Sequence, residues 1–249
     1  MSYGKLYLIP TPLGEYAPEE VLPAPVLDRV RTLSRFVVEE TRTARRFLSA
    51  AGLKGHIDSL EFRELNEHTD AKDVESLAAL FEDGTDVGLL SEAGLPAVAD
   101  PGALLVALCH RKGIEVVPLT GPSSLMMALM SSGLNGQSFA FNGYLPRESD
   151  ERKRALRELE SRSEKLNQTQ IFIETPYRND SMLADLLAAC APSTMLCMAA
   201  DITMDDAFIR TASVAQWKKS VPVLGKRPCV FLILAPGRKA PAGDKGKKR

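Results

Sequence analysis

Five short segments hold most of the residues able to do chemistry in this chain. They are Thr11-Pro12-Leu13-Gly14-Glu15, Glu39-Glu40-Thr41-Arg42-Thr43, Leu119-Thr120-Gly121-Pro122-Ser123-Ser124, Glu174-Thr175-Pro176-Tyr177-Arg178, and the longest, Ser91-Glu92-Ala93-Gly94-Leu95-Pro96 running on to Asp100-Pro101-Gly102. Each joins Gly, Pro, Ser or Thr to nearby charged groups. Such loops expose backbone N–H and C=O groups and let a ligand approach the main chain closely. They suit a zwitterionic, nucleoside-like ligand. A bare phosphate would call for more Lys and Arg or a nest of glycine amides. Singly, each segment also fits a plain turn. Glu40 fits a helix cap, and Arg42 and Arg178 fit ion-pair members. The order and spacing of all five together point to a site.

The elements that must position them follow from the apolar pattern. Residues 87–90 are apolar and stop at Ser91; 103–111 read as a helix; 114–119 are apolar and stop at Thr120. This strand–loop–helix–strand–loop order puts both loops at the carboxyl ends of neighbouring parallel strands, where open α/β sheets bind ligands. Further strands are expected at 5–10, 36–39, 138–144, 171–174, 195–199 and 229–235. Further helices are expected at 25–33, 43–51, 73–81, from Ser123 or Ser124 to 130, and at 150–165, 182–191 and 212–219. The first half alternates strand and helix and the second does not. The expectation is an α/β fold of two domains, a mostly parallel sheet in 1–120 and a mixed α+β sheet in 121–237, with the ligand cleft between them. Residues 238–249 read as a disordered basic tail.

Several function classes are excluded. GxxxxGK[ST], GxGxxG after a strand, and GxSxG are all absent, which removes the P-loop, ordinary dinucleotide and nucleophile-elbow readings. The four cysteines form no CxxC pair and the three histidines are scattered, so no metal site is expected. No stretch fits a signal peptide or membrane span, so a cytoplasmic protein is expected. The formal net charge of −1 gives no global signal for nucleic acid, although the tail carries six basic residues and one acid.

Taken in order, the segments resemble the tetrapyrrole (corrin/porphyrin) methylase superfamily. The likeness is strongest to the ribosomal RNA small subunit methyltransferase I group, which methylates a cytidine 2′-hydroxyl of 16S rRNA. Leu6 to Gly14 stands where that group has a strand and a T-P-[IL]-G loop. Glu39-Glu40-Thr41-Arg42 stands for E-D-T-R, and 91–102 for S-D-A-G-T-P-x-x-x-D-P-G. Thr120–Ser124 stands for P-G-P-S-A, Gly143-Tyr144-Leu145-Pro146-Arg147 for G-F-L-P-R, and Glu174–Arg178 for E-S-P-H-R. Glu40 and Glu92 replace Asp, Leu95 replaces Thr, and Tyr177 replaces His. Leu65-Asn66-Glu67-His68 is what remains of H-E-H-N. Ala199-Ala200-Asp201-Ile202-Thr203 stands for A-R-E-L-T without its Arg.

The resemblance implies S-adenosylmethionine (SAM) as methyl donor. It places the donor against Pro12, Ser91, Glu92, Ala93, Gly94, Leu95, Pro96, Gly121, Pro122, Ser123, Ser124, Phe172, Ile173, Glu174, Asp201, Ile202 and Thr203. Glu40, Arg42, Asp100, Glu174 and Arg178 become the catalytic candidates. A homodimer and a ribosomal RNA or small-subunit partner are implied, with no membrane. The helix at 152–165 and the tail are candidates to track an RNA backbone, but interleaved glutamates mark that helix as a solvated face. A tetrapyrrole or other small acceptor, or a homologue that binds without catalysis, are the alternatives.

Overall fold

The structure is a computed structural model that describes residues 3–237. The basic tail expected at 238–249 lies outside the described residues. The chain divides into two compact units, the first ending at Ser123 and the second beginning at Ser124.

In the first unit the chain runs β1 (Leu6–Ile9), α1 (Pro18–Val21), α2 (Ala24–Arg31), β2 (Arg35–Val38), α3 (Thr41–Leu48), β3 (Glu61–Glu64), α4 (Ala71–Ser76), β4 (Val87–Leu90), α5 (Gly102–Lys112) and β5 (Val116–Pro118). The five strands form one sheet in the order β3-β2-β4-β1-β5. Every neighbouring pair is parallel. Parallel pairing requires crossovers, and the helices supply them on both faces. The central β4 is therefore buried at all four positions, which is why its sequence, VGLL, does not alternate. Gly88 is set in that strand because a Cβ there would lie 2.6 Å from Ile9 Cδ1 and 2.8 Å from Phe36 Cδ1. Helix α4 is shorter than the 73–81 pattern predicts: it gives way to a 3₁₀ turn over Leu77–Phe81, in which Leu77, Ala78, Leu80 and Phe81 are buried.

The second unit contains α6 (Ser124–Ser132), β6 (Phe139–Tyr144), α7 (Ser149–Leu166), β7 (Thr169–Ile173), α8 (Asn179–Ala189), β8 (Met195–Ala200), β9 (Phe208–Ser213), α9 (Val214–Trp217) and β10 (Cys229–Leu234). Its sheet has the order β6-β7-β10-β8-β9. Only β6 and β7 pair in parallel; the rest are antiparallel. The sheet is mixed, as the sequence pattern predicts. One element differs. The helix expected at 212–219 shrinks to Val214–Trp217, and residues just before it form strand β9. The stop is marked locally: the Ser213 hydroxyl accepts from Gln216 N while Gln216 returns a bond to the Ser213 N–H, a capping box.

Two buried features belong to stability. Arg152 on α7 is only 3% exposed. Its Nε donates to Asp185 Oδ2 at 2.7 Å, and its Nη1 donates to the Arg147 carbonyl at 2.8 Å. Arg152 therefore does not belong to the charged outer face that its helix presents in sequence. The four cysteines are all free and buried.

Candidate functional site

In the first unit the loops after β1 and β4 are laced together. The Thr11 N–H donates to the Gly94 carbonyl at 2.9 Å and the Gly94 N–H returns to the Thr11 carbonyl at 3.1 Å. The Thr11 hydroxyl donates to the Ser91 carbonyl at 3.4 Å. Gly94 has φ +79°, and a Cβ there would sit 3.1 Å from Leu13 Cδ2 and 3.5 Å from the Pro122 carbonyl oxygen. Three loops, carrying Pro12, Gly94 and Pro122, thus converge on one point at the carboxyl end of the sheet, as parallel-strand topology dictates. Gly121 is fixed by the same crowding: its Cβ would lie 2.2 Å from Pro10 Cβ.

The remainder of the 91–102 loop is held under strain. Ala97 and Ala99 have φ of 63° and 61°, a region unfavourable to side chains. Asp100 holds this shape. Its carboxylate accepts from the Ala97 N–H at 2.9 Å and from the Gly102 N–H at 2.7 Å. Burial nevertheless raises the Asp100 pKa against the effect of those two bonds. Asp100 thus serves first as a brace for the loop that carries Ala93, Leu95 and Pro96.

The two neighbouring glutamates after β2 separate in role. Glu40 caps α3: its carboxylate accepts from Arg42 N at 2.8 Å and Thr43 N at 3.0 Å, and these bonds lower its pKa. Arg42 is exposed in the first turn of that helix. Glu39 is half-buried, and its Oε1 accepts from the Glu92 N–H at 3.4 Å. Burial raises the Glu39 pKa, and the charges of Asp100 and Glu92 push it further. The sequence pattern points to Glu40 and not to Glu39. Both are glutamates at a strand end, and only the cap geometry separates them.

In the second unit, Glu174 follows β7 with its side chain fully buried. Oε1 accepts from Arg178 Nε at 3.0 Å and Thr175 N at 2.7 Å, whereas Oε2 has no partner. Arg178 is thereby committed to Glu174. Phe172 is 0% exposed and stacks on Phe231 at 5.9 Å, so its side chain belongs to the core and only its main chain can face a ligand. Ile173, next to it, is half-buried. The 201–203 turn is strained, with φ of 48° at Asp201 and 79° at Thr203. Asp201 pairs with Arg227, Ile202 is buried, and the buried Thr203 hydroxyl has no partner. Ser124 opens α6, directly after Ser123.

Each unit by itself carries buried polar atoms left without a partner. Buried polar groups are nearly always hydrogen-bonded. Ser91 Oγ, Glu174 Oε2 and Thr203 Oγ1 are buried and unpaired, and each lies in a loop that the sequence singled out. A hydroxyl can donate to or accept from a ligand, and a carboxylate oxygen accepts.

Two five-stranded sheets, one parallel and one mixed, with laced glycine- and proline-rich loops at the strand ends, define a methyltransferase class of fold. The chain belongs to the family of Tetrapyrrole (Corrin/Porphyrin) Methylases, whose profile matches residues 5–217. The fold is shared with the methyltransferase CobJ, with a TM-score of 0.61 and 16% identity over 93% of this chain and 94% of that one. It is also shared with a uroporphyrin-III-C-methyltransferase from Thermus thermophilus, with a TM-score of 0.53 and 21% identity over 93% and 92%. In sequence the chain is 30% identical to Ribosomal RNA small subunit methyltransferase I of Escherichia coli O157:H7, over 98% of this chain and 81% of the relative. It is 35% identical to the protein of that name from Thermotoga maritima, over 74% and 77%. Among the described residues no helix is long and apolar enough to cross a membrane.

Proposed function

We propose that this chain transfers the methyl group of SAM to a ribose 2′-hydroxyl of small-subunit ribosomal RNA. The observation that carries this reading is the similarity, across 98% of the chain, to a protein named for that RNA. SAM, when bound, supplies a methyl group already activated by the positive sulfur, so the protein's task is alignment and exclusion of water rather than covalent catalysis.

In this reading the main chain of 91–96 and 121–124 and the hydroxyl of Ser91 hold the donor's polar groups. Glu174 Oε2 and the Thr203 hydroxyl do the same from the second unit. Pro12 limits the pocket beside the Thr11–Gly94 bridge. Asp100 holds the loop, and Glu40 holds the start of α3. Arg178 holds the Glu174 carboxylate in place through its Nε–H bond to Oε1. Arg42 is the cation left to stabilise charge developing on an acceptor hydroxyl. Glu39 is the better-suited proton acceptor of the two neighbouring glutamates, since burial and adjacent charge favour its protonated form. The protein would act in the cytoplasm as a homodimer.

Mapping 2′-O-methyl marks on small-subunit rRNA from a strain lacking the gene tests the reading. The expected result is loss of one mark, restored by the wild-type gene. An unchanged map refutes it.

A further inference from the structure

Among the described residues, Tyr177 and Tyr144 are the two most exposed aromatic side chains, at 64% and 56%. Both lie at the same edge of the second unit's sheet. Strands β6 and β7 pair in parallel, with Tyr144 opposite Ile173 in register. The chain therefore leaves the two strands side by side, with Tyr144 and Arg147 on one path and Glu174, Tyr177 and Arg178 on the other. Single exposed rings are ordinary on a protein surface. Two rings grouped with two arginines at one sheet edge make a patch.

The Tyr177 ring is held in place. The Arg178 guanidinium lies over it, with Cζ 5.7 Å from the ring centroid. Arg178 is itself anchored, because its Nε donates to the buried Glu174 at 3.0 Å. A cation thus covers one face of the ring, and the opposite face is open. A hydrogen bond with Thr175, then the charges of Arg178 and Arg147, lower the pKa of the phenol. The exposed Arg147 therefore lies beside the same ring. Tyr177 stands where the family pattern has His, so a phenol ring at this place is this chain's own.

An open ring beside an exposed guanidinium matches one ligand chemistry: an unpaired base, which stacks, joined to a phosphate, which pairs with the cation. Within a duplex both faces of a base are already stacked, so the patch favours single-stranded segments. We infer that the edge formed by Tyr177, Tyr144 and Arg147 grips an unpaired stretch of the acceptor RNA, with a base stacked on Tyr177 and Arg147 against the backbone. The inference rests on the RNA methyltransferase reading above and adds a docking surface outside the residues assigned to the donor. Arg178 links this surface to Glu174, whose unpartnered Oε2 the donor reading uses. Tyr177, Tyr144 and Arg147 are positioning residues: they set where the RNA lies.

The test measures binding of a fluorescein-labelled single-stranded oligoribonucleotide, and of the same strand annealed to its complement. Beside it runs methyl transfer from labelled SAM to small ribosomal subunits from a strain lacking the gene. Wild type, Tyr177→Ala, Tyr177→Phe and Arg147→Gln are compared, with SAM affinity read by calorimetry and folding by thermal melting. Loss of one base–aromatic stack is expected to weaken Tyr177→Ala about fivefold or more, in Kd for the single strand and in KM for subunits rather than in kcat. Tyr177→Phe keeps the ring and stays within about twofold of wild type. Arg147→Gln lowers the slope of log K against log salt by about one. The Kd for SAM stays within about twofold in all three. Unchanged binding by Tyr177→Ala overturns the inference, as does an unchanged salt slope in Arg147→Gln. Equal losses in the Ala and Phe variants overturn it too, since they would assign the hydroxyl rather than the ring. So does duplex bound as tightly as single strand, or a parallel loss of SAM affinity. Dissociation of Tyr177→Ala in sedimentation overturns it by making the patch a contact between copies of the protein. Subunits that accept no methyl from wild-type enzyme defeat the functional reading instead, and oligoribonucleotide binding then decides the patch by itself.

Discussion

Glu39 and Glu92 meet end to side at the carboxyl edge of the parallel sheet: the Glu92 N–H donates to Glu39 Oε1 at 3.4 Å, across 53 residues of sequence. With Asp100 nearby, three carboxylates crowd one edge, and two of them, Glu39 and Asp100, have raised pKa values. A cationic sulfonium ligand would find complementary charge there.

This crowding makes stability depend on pH in a defined direction. Glu39 is raised above its unfolded value chiefly by burial, so its ionisation opposes folding. Its favourable contribution is complete below the unfolded pKa and is lost as pH rises through the folded one. Glu39→Gln is therefore expected to gain stability relative to wild type at pH 8 and to lose that advantage at pH 4. Urea midpoints at the two pH values measure this. The same variant is expected to lower methyl transfer more than Glu40→Gln, whose effect runs through helix capping.

The opposite sign holds for Arg152 and Asp185. Burial alone would raise the Asp185 pKa, but hydrogen bonds from Ser149 and Arg152 and the Arg152 charge lower it overall. The pair's contribution is thus complete above an unfolded carboxyl pKa of about 3.9 and fades as pH falls through the folded value. Arg152→Met leaves Asp185 with Ser149 and Lys153 as partners. It is expected to cost about 3 kcal/mol at pH 7, near the lower end for breaking a buried pair. Replacing both residues with apolar ones is expected to cost less than the single change. Denaturation curves of the single and double variants decide the point.

What the sequence made readable, and what it did not, follows one physical line. The strands of the parallel sheet stand out because both faces are covered, so runs such as VGLL are wholly apolar. Strand β9 escaped because it lies at a sheet edge. Phe208–Ser213 reads FIRTAS, with Arg210 exposed and Ala212 buried, too short a contrast to separate from the helix after it. The five loops were legible by residue type. The distinction between Glu39 and Glu40 was not, since it depends on which carboxylate turns back to cap α3. Arg152 looked like one more charge on a solvated helix, because nothing local shows that Asp185 lies beneath it.

The three-loop junction can be tested through its glycines. A Cβ at Gly121 would meet the Pro10 ring at 2.2 Å, and a proline ring cannot rotate aside. Gly121→Ala is expected to lose about 1–3 kcal/mol, as for other overpacked sites. It is also expected to weaken SAM binding, since the 121–124 turn must move. Gly136→Ala is the control: a Cβ there meets nothing within 4 Å. Calorimetry with SAM and thermal melting of both variants separate a local effect on the turn from general loss of stability.

Cysteine reactivity tests the packing of the second unit from another direction. Burial pushes the Cys190 and Cys229 thiols up to about 12 and the Cys109 thiol of the first unit up to about 11, and it raises Cys197 as well. The thiolate is the reactive form, so at pH 8 each of these groups is almost wholly protonated and also shielded. Native protein treated with a disulfide reagent such as DTNB is expected to release almost no chromophore within minutes. In guanidinium chloride the release should reach four equivalents per chain, matching the four cysteines of the sequence. If one thiol reacts rapidly in the native state, then either the core opens locally at that strand or helix, or the side chain is not buried. Because Cys197 and Cys229 lie on the adjacent central strands β8 and β10, rapid labelling of either would mean that the mixed sheet itself opens. Peptide mapping after labelling identifies which cysteine reacted.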